Sequence, residues 1–268
     1  MTSSGAMPDA ATSDAATADE GPDRSAAVEV RNVSKVFADG THALDDVSLT
    51  VAPGEFVALI GPSGCGKSTL LRAIAGLTST TAGTCEMASS VRRAFVFQQP
   101  TLLPWRTSIR NAELLLMLEG VGKQERRERA LAAMKLVGLE GFERSFPRAL
   151  SGGMKMRLSL ARALALNPNL FLLDEPFSAV DEITRESLND ELVRIWVQER
   201  FTSILVTHNL YEAVFLAQRV VVMSPRPGRI SSIIEVPFEY PRPPELRGDP
   251  EYARIVGELS QQLREVSR

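Results

Sequence analysis

The sequence predicts an α/β fold built on a parallel sheet. Short, almost wholly apolar runs alternate with segments of helical period, and a glycine-rich loop of phosphate-binding type follows one of those runs directly. The candidate strands are Phe56–Ile60 and residues 94–98, 169–173, 203–207 and 220–223. They show little polar alternation, as strands covered on both faces require. Residues 99–168 hold no strong strand but carry helical patterns at 109–118, 126–137 and 154–166, so this stretch reads as a helical insertion, placed at about 101–160. A Pro-rich stretch, 225–244, marks a boundary before a final amphipathic helix at 251–266. The expected division is a tail over 1–27, a main domain over 28–232 and a C-terminal extension over 233–268.

Composition narrows the class. The chain has 268 residues, 44% of them hydrophobic, which is ordinary for a folded chain with a sizeable core. No apolar run approaches the roughly eighteen residues of a spanning helix, so any membrane role is expected to be peripheral. Residues 1–27, rich in Ala, Thr, Ser and Asp, lack the basic start and apolar centre of a secretion signal and are expected to form a disordered tail. A net charge of −3 gives no whole-chain electrostatic case for nucleic acid. Cys65 and Cys85 fit neither a disulfide framework nor a metal site, which points to a reducing cytoplasm.

The chemistry starts after Ile60, at Gly61-Pro62-Ser63-Gly64-Cys65-Gly66-Lys67-Ser68, with Thr69 next. Glycines let such a loop curl until successive N–H groups converge on phosphate oxygens, and the following helix adds its positive end. Lys67 is expected to neutralise the β- and γ-phosphates of ATP, and Ser68 to ligate Mg²⁺. Leu170-Phe171-Leu172-Leu173-Asp174-Glu175 is an apolar strand ending in two carboxylates. By itself this is also an ordinary strand end; downstream of a phosphate loop it makes Asp174 a Mg²⁺-shell residue and Glu175 a general base for the attacking water. Cys65, beside a helix N-terminus, reads either as a tolerated small residue or as a reactive thiol that ATP would protect from maleimide.

Leu150-Ser151-Gly152-Gly153, upstream of Asp174 and opening the 154–166 helical pattern, brings a resemblance to the ATPases of ABC transporters. The resemblance extends over roughly residues 28–230. It implies a P-loop NTPase (RecA-like) core with an ABC-type antiparallel β part and a helical subdomain. Phe37 resembles the aromatic that stacks on adenine, Gln98 the glutamine that touches Mg²⁺ and the lytic water and senses the permease, Asp181 in Ser178-Ala179-Val180-Asp181 the D-loop aspartate, and His208 the switch histidine at the γ-phosphate. The family places Ser151, Gly152 and Gly153 against the γ-phosphate held by a second copy. Three positions depart from the usual pattern: Met154 where Gln is common, Val180 for Leu, and Asn209 after the histidine where Asp is common.

Met154, Leu102-Leu103-Pro104-Trp105, Met223-Ser224-Pro225-Arg226-Pro227-Gly228-Arg229-Ile230 and Pro241-Arg242-Pro243 resemble the nitrate, sulfonate and taurine importer branch. What this implies is an ATP-hydrolysing homodimer at the cytoplasmic face of the membrane, powering a separate permease fed by an extracytoplasmic substrate-binding protein. Lipid or efflux transport and a soluble non-transport ATPase are the alternatives, because these motifs encode the motor and not the cargo. Trp105 reads either as a permease docking anchor or as core of the insertion. The final helix is open to three roles: regulating, packing on the core, or steadying the dimer.

Overall fold

The computed structural model describes residues 1–2 and 26–267. In chain order the elements are β1 (Val28–Val36), β2 (His42–Val51), β3 (Phe56–Ile60), α1 (Lys67–Ile74), β4 (Ala82–Met87) and β5 (Arg93–Val96). A helical stretch follows with α2 (Ser108–Ala112), α3 (Leu114–Leu118), α4 (Lys123–Leu136) and α5 (Gly152–Leu164). The chain then returns to the sheet with β6 (Leu170–Asp174), α6 (Glu182–Glu199), β7 (Thr202–Val206), α7 (Leu210–Leu216), β8 (Arg219–Met223) and β9 (Ile230–Glu235), and ends in α8 (Pro250–Val266).

The main sheet has the order β5-β6-β7-β3-β8-β9, parallel except for the antiparallel edge strand β9. All five residues of β3 are buried, and so are all five of β6 and of β7. Burying each larger apolar side chain contributes about 1.5–3 kcal/mol, which fixes these strands in the sheet interior. A second sheet, β2-β1-β4, is antiparallel. Burial alternates over the second half of β2, residues 46–51, one face packing with α1 into the smaller of two hydrophobic clusters.

Register sets the height of the sheet's C-terminal edge. Leu59 and Asp174 both stand level with Val206 on the strand between them. The residues that leave β3, β6 and β7 therefore emerge together, at the edge where open α/β sheets bind ligands.

Expected boundaries shift in several places. The strand expected at 94–98 ends at Val96, so Phe97 and Gln98 follow it as loop. The helix expected at 109–118 is two pieces separated by Glu113. That carboxylate is buried and paired with both Arg110 and Arg127. The expected tail lies almost entirely outside the described residues; at its end Ala26 and Ala27 are buried, and the Ala27 N–H donates to Val51 O, so these two belong with the antiparallel sheet.

The C-terminal extension packs on the core through α7. Buried Arg242 donates from Nη1 to the carbonyls of Val214, Phe215 and Ala217 at 2.8–2.9 Å, capping the end of α7. Tyr240 Oη donates to Leu216 O, and Tyr252 Oη, from α8, donates to Tyr211 O in the first turn of α7, each at 2.6 Å. Of the three readings of the final helix, this contact is the one observed. Among the described residues no helix is long and apolar enough to cross a membrane.

Candidate functional site

Gly61 through Gly66 leave the centre of the main sheet and curl into α1. Gly66 stands at φ 108°, and a Cβ there would lie 2.6 Å from Ala43 O, so only glycine fits this turn. Lys67 Nζ is buried inside the curl, donating to Gly61 O at 2.8 Å and Pro62 O at 3.0 Å. A cleft of about 240 Å³ opens beside it, lined by Phe37, Thr41, Ala43, Ser63, Gly64, Gly66, Lys67, Ser68, Thr69, Glu175 and Arg226. Phe37 is 41% exposed there, with Lys35 Nζ 5.2 Å from its ring centroid. Cys65 is only 1% exposed and packs into the smaller core cluster, so its thiol does not line the cleft. Its backbone faces the loop, where the Cys65 N–H donates to Pro62 O at 3.3 Å.

At the strand ends, Ser68 Oγ donates to Asp174 Oδ1 at 2.6 Å, and Arg72 lies 3.7 Å from Asp174 Oδ2. A hydroxyl beside a carboxylate is a hard oxygen set that suits Mg²⁺, an ion that completes its shell with waters and phosphate oxygens rather than with a protein cage.

Glu175 adopts φ 46°, a left-handed conformation that costs a non-glycine residue about 1–3 kcal/mol, and its N–H is held by Val206 O at 2.9 Å. The adjacent strand delivers His208, whose Nδ1 stands 3.1 Å from Glu175 Oε2. Ser178 Oγ donates to Glu175 O at 3.1 Å and accepts from Gln98 Nε2 at 3.1 Å, which ties Gln98 to the same corner. The structure thus brings together Gln98, Asp174, Glu175, His208 and the phosphate loop.

Four predicted site residues, Ser151, Gly152, Gly153 and Asp181, stand elsewhere. Ser151 caps α5, accepting from Met154 N at 3.2 Å, and with Gly152 and Gly153 it is absent from the lining of its own chain's cleft. Only the backbone N–H of Met154 serves this cap, so the departure from Gln leaves it intact. Asp181 caps α6, accepting from Thr184 N at 3.0 Å and Thr184 Oγ1 at 2.7 Å. Those two bonds hold its carboxyl below the usual range. Asn209, in place of the commoner aspartate, caps α7 by accepting from Glu212 N at 3.1 Å. Trp105 is 71% exposed, which excludes the reading that it packs inside the insertion.

Two residues escaped the sequence reading. Arg226 lines the cleft from far along the chain, a placement with no local signal. Glu212, four residues after His208, is a buried acid whose Oε2 accepts from Thr207 Oγ1 and whose Oε1 has no hydrogen-bond partner. Burial pushes its carboxyl up to about 7.

The profile of one family, described as ABC transporter, matches residues 44–178. A curated relative, the taurine import ATP-binding protein TauB of Yersinia pestis, is 43% identical over 252 residues, covering 88% of this chain and 98% of the relative. The chain belongs to the ABC transporter family. Within it, the aliphatic sulfonates import ATP-binding protein SsuB 1 of Mesorhizobium japonicum is 45% identical over 237 residues, 87% of each chain. Among solved structures, the dimeric ATP-binding cassette MJ0796, in a post-hydrolysis state bound to ADP and Pi, superposes with TM-score 0.69 at 33% identity, covering 79% of this chain and 100% of that one. This ABC chain is accordingly the ATP-binding, ATP-hydrolysing subunit, and its fold is that of the ABC cassette.

Proposed function

We propose that the chain powers import of a small anion of the sulfonate class, working as a homodimer on the cytoplasmic face of a separate membrane permease that a substrate-binding protein supplies. Hydrolysis rests on one observation above all: the 3.1 Å contact between His208 Nδ1 and Glu175 Oε2 at the sheet edge, beside the phosphate loop. Glu175 takes the proton of the attacking water, and His208 orients that carboxylate and meets the γ-phosphate. The loop's N–H groups and Lys67 bind the phosphates, while Phe37 stacks on adenine. Ser68, Asp174 and Gln98 would hold Mg²⁺, which supplies charge neutralisation on the β- and γ-phosphate oxygens.

The dimer reading draws on the position of Ser151, Gly152 and Gly153. They begin α5 with N–H groups suited to phosphate yet lie off their own cleft, as a segment that completes a partner's site would. Asp181, at the start of the neighbouring α6, links the two copies. Closure on ATP and opening after hydrolysis shift the permease between its two states. Trp105, exposed after Gln98, offers that permease a large apolar contact. Import of a sulfonate-class anion is supported by relatives named for taurine and aliphatic sulfonates that align along nearly the whole chain.

The test is a tagged Glu175→Gln protein, held closed with ATP and purified from detergent-solubilised membranes for mass spectrometry. A polytopic permease together with a secreted binding protein is the expected result. A permease without a binding protein contradicts import, and recovery from the soluble fraction alone contradicts transport.

A further inference from the structure

The segment from Met223 to Ile230, which the motor motifs leave without a role, folds back onto the nucleotide cleft. Its course is fixed by backbone contacts. The Gly228 N–H donates to Ala43 O and the Asp45 N–H donates to Gly228 O, both at 3.0 Å, while Ser224 N–H donates to Arg229 O at 2.9 Å. A Cβ on Gly228 would lie 2.0 Å from Cys65 O, so this loop lies directly against the phosphate loop. Arg229 turns away to pair with Asp45.

Arg226 turns the other way. Its Nε and Nη2 both donate to Gly64 O at 3.1 Å, and Nη1 makes no hydrogen bond among the described residues. The side chain is exposed, yet it lines the same cleft as Phe37, Ser63 and Lys67. Its loop runs beside the start of β2, where Gly228 exchanges backbone hydrogen bonds with Ala43 and Asp45, just beyond the tight turn at 37–41 whose Phe37 and Thr41 line the cleft with Arg226. Asp39, in that turn, has its carboxyl held low first by the Thr41 N–H, with the charge of Arg226 a lesser contribution.

We propose that Arg226 is a nucleotide-contacting residue whose guanidinium, anchored on Gly64, forms with Phe37 the lining of the adenosine end of the cleft. A planar cation is suited to the face of a purine and its spare N–H groups to ribose oxygens. The proposal rests on the cleft being the ATP site.

The experiment measures affinity of the full-length protein for ATP and, separately, for inorganic tripolyphosphate, which has the phosphates and lacks the adenosine. Arg226→Ala is expected to weaken ATP by more than about twofold and by up to about thirty-fold, the range for a planar cation over an aromatic face, and to leave tripolyphosphate unchanged. Arg226→Lys, which keeps the charge and gives up the plane, is expected to recover only part of the loss. ATP affinity within about twofold of wild type in Arg226→Ala overturns the proposal, being below the weakest such contact. Equal loss for both ligands also overturns it, because Arg226 would then act on the phosphate loop and not on adenosine. Lys67→Ala is the separate control for the cleft: it should weaken both ligands, and if it weakens neither, the reading of the cleft fails instead. Phe37→Ala isolates the stacking reading in the same way, since its failure leaves the Arg226 result standing.

Discussion

Glu212→Gln should make the protein more stable, and increasingly so as pH rises. The wild-type carboxyl is buried beside Thr207, one oxygen unpartnered, and burial raises it from an unfolded value of 4.5 to about 7. The groups facing it act in both directions: the Thr207 hydroxyl and then Arg185 favour the carboxylate, while Glu175 and Glu182 disfavour it. In the unfolded chain the acid ionises near 4.5; in the folded chain it keeps its proton until about 7. Between these values the folded state binds more protons than the unfolded one, so stability falls as pH rises through the window and then levels off. A displacement from 4.5 to about 7 corresponds to roughly 3 kcal/mol at alkaline pH and to less than about 1 kcal/mol at pH 5. Glutamine keeps an acceptor for Thr207 and cannot ionise. The assay is urea unfolding of both proteins at pH 5 and pH 8.5. The variant's advantage should be about 2–3 kcal/mol larger at pH 8.5. An advantage that does not change with pH would refute the reasoning.

Three further outcomes follow from the geometry. Lys67→Ala removes a charged donor from the loop and should weaken ATP binding by roughly ten- to a hundred-fold in a direct titration; unchanged affinity contradicts the phosphate-clamp role. Arg242→Met leaves the last carbonyls of α7 without their buried donor and should cost about 3–5 kcal/mol of unfolding free energy, read by denaturant titration, where a loss below about 1 kcal/mol would contradict the capping role. Cys65, 1% exposed, should resist maleimide in the native protein whether or not ATP is present, and rapid labelling that ATP slows would contradict its placement in the core.

The strands that carry the chemistry were legible because burial on both faces writes itself as an uninterrupted apolar run: β3, β6, β7 and β8 lie within a residue of their expected bounds. The antiparallel sheet was not legible from pattern. β1 breaks register at several points and β2 carries Asp45 and Asp46 in its middle, so neither shows clean alternation; only the family resemblance implied them. The helix α6 also escaped, because charged residues interrupt its apolar positions while it still buries Leu188, Leu192, Val193, Ile195 and Trp196. In the site, the phosphate loop, Asp174, Glu175 and His208 were visible as residues that close apolar strands. What the sequence did not reveal was the register that puts Glu175 beside His208, and the return of Arg226 to Gly64, since both depend on contacts between residues far apart in the chain.

The central claim is that Glu175 activates the water that cleaves ATP in this cleft. Its most direct test compares steady-state ATP turnover and ATP affinity of the wild-type protein with those of Glu175→Gln. A fall in turnover of roughly two to four decades with affinity retained is the predicted result. Turnover close to wild type would remove Glu175 from the role of base and contradict the account.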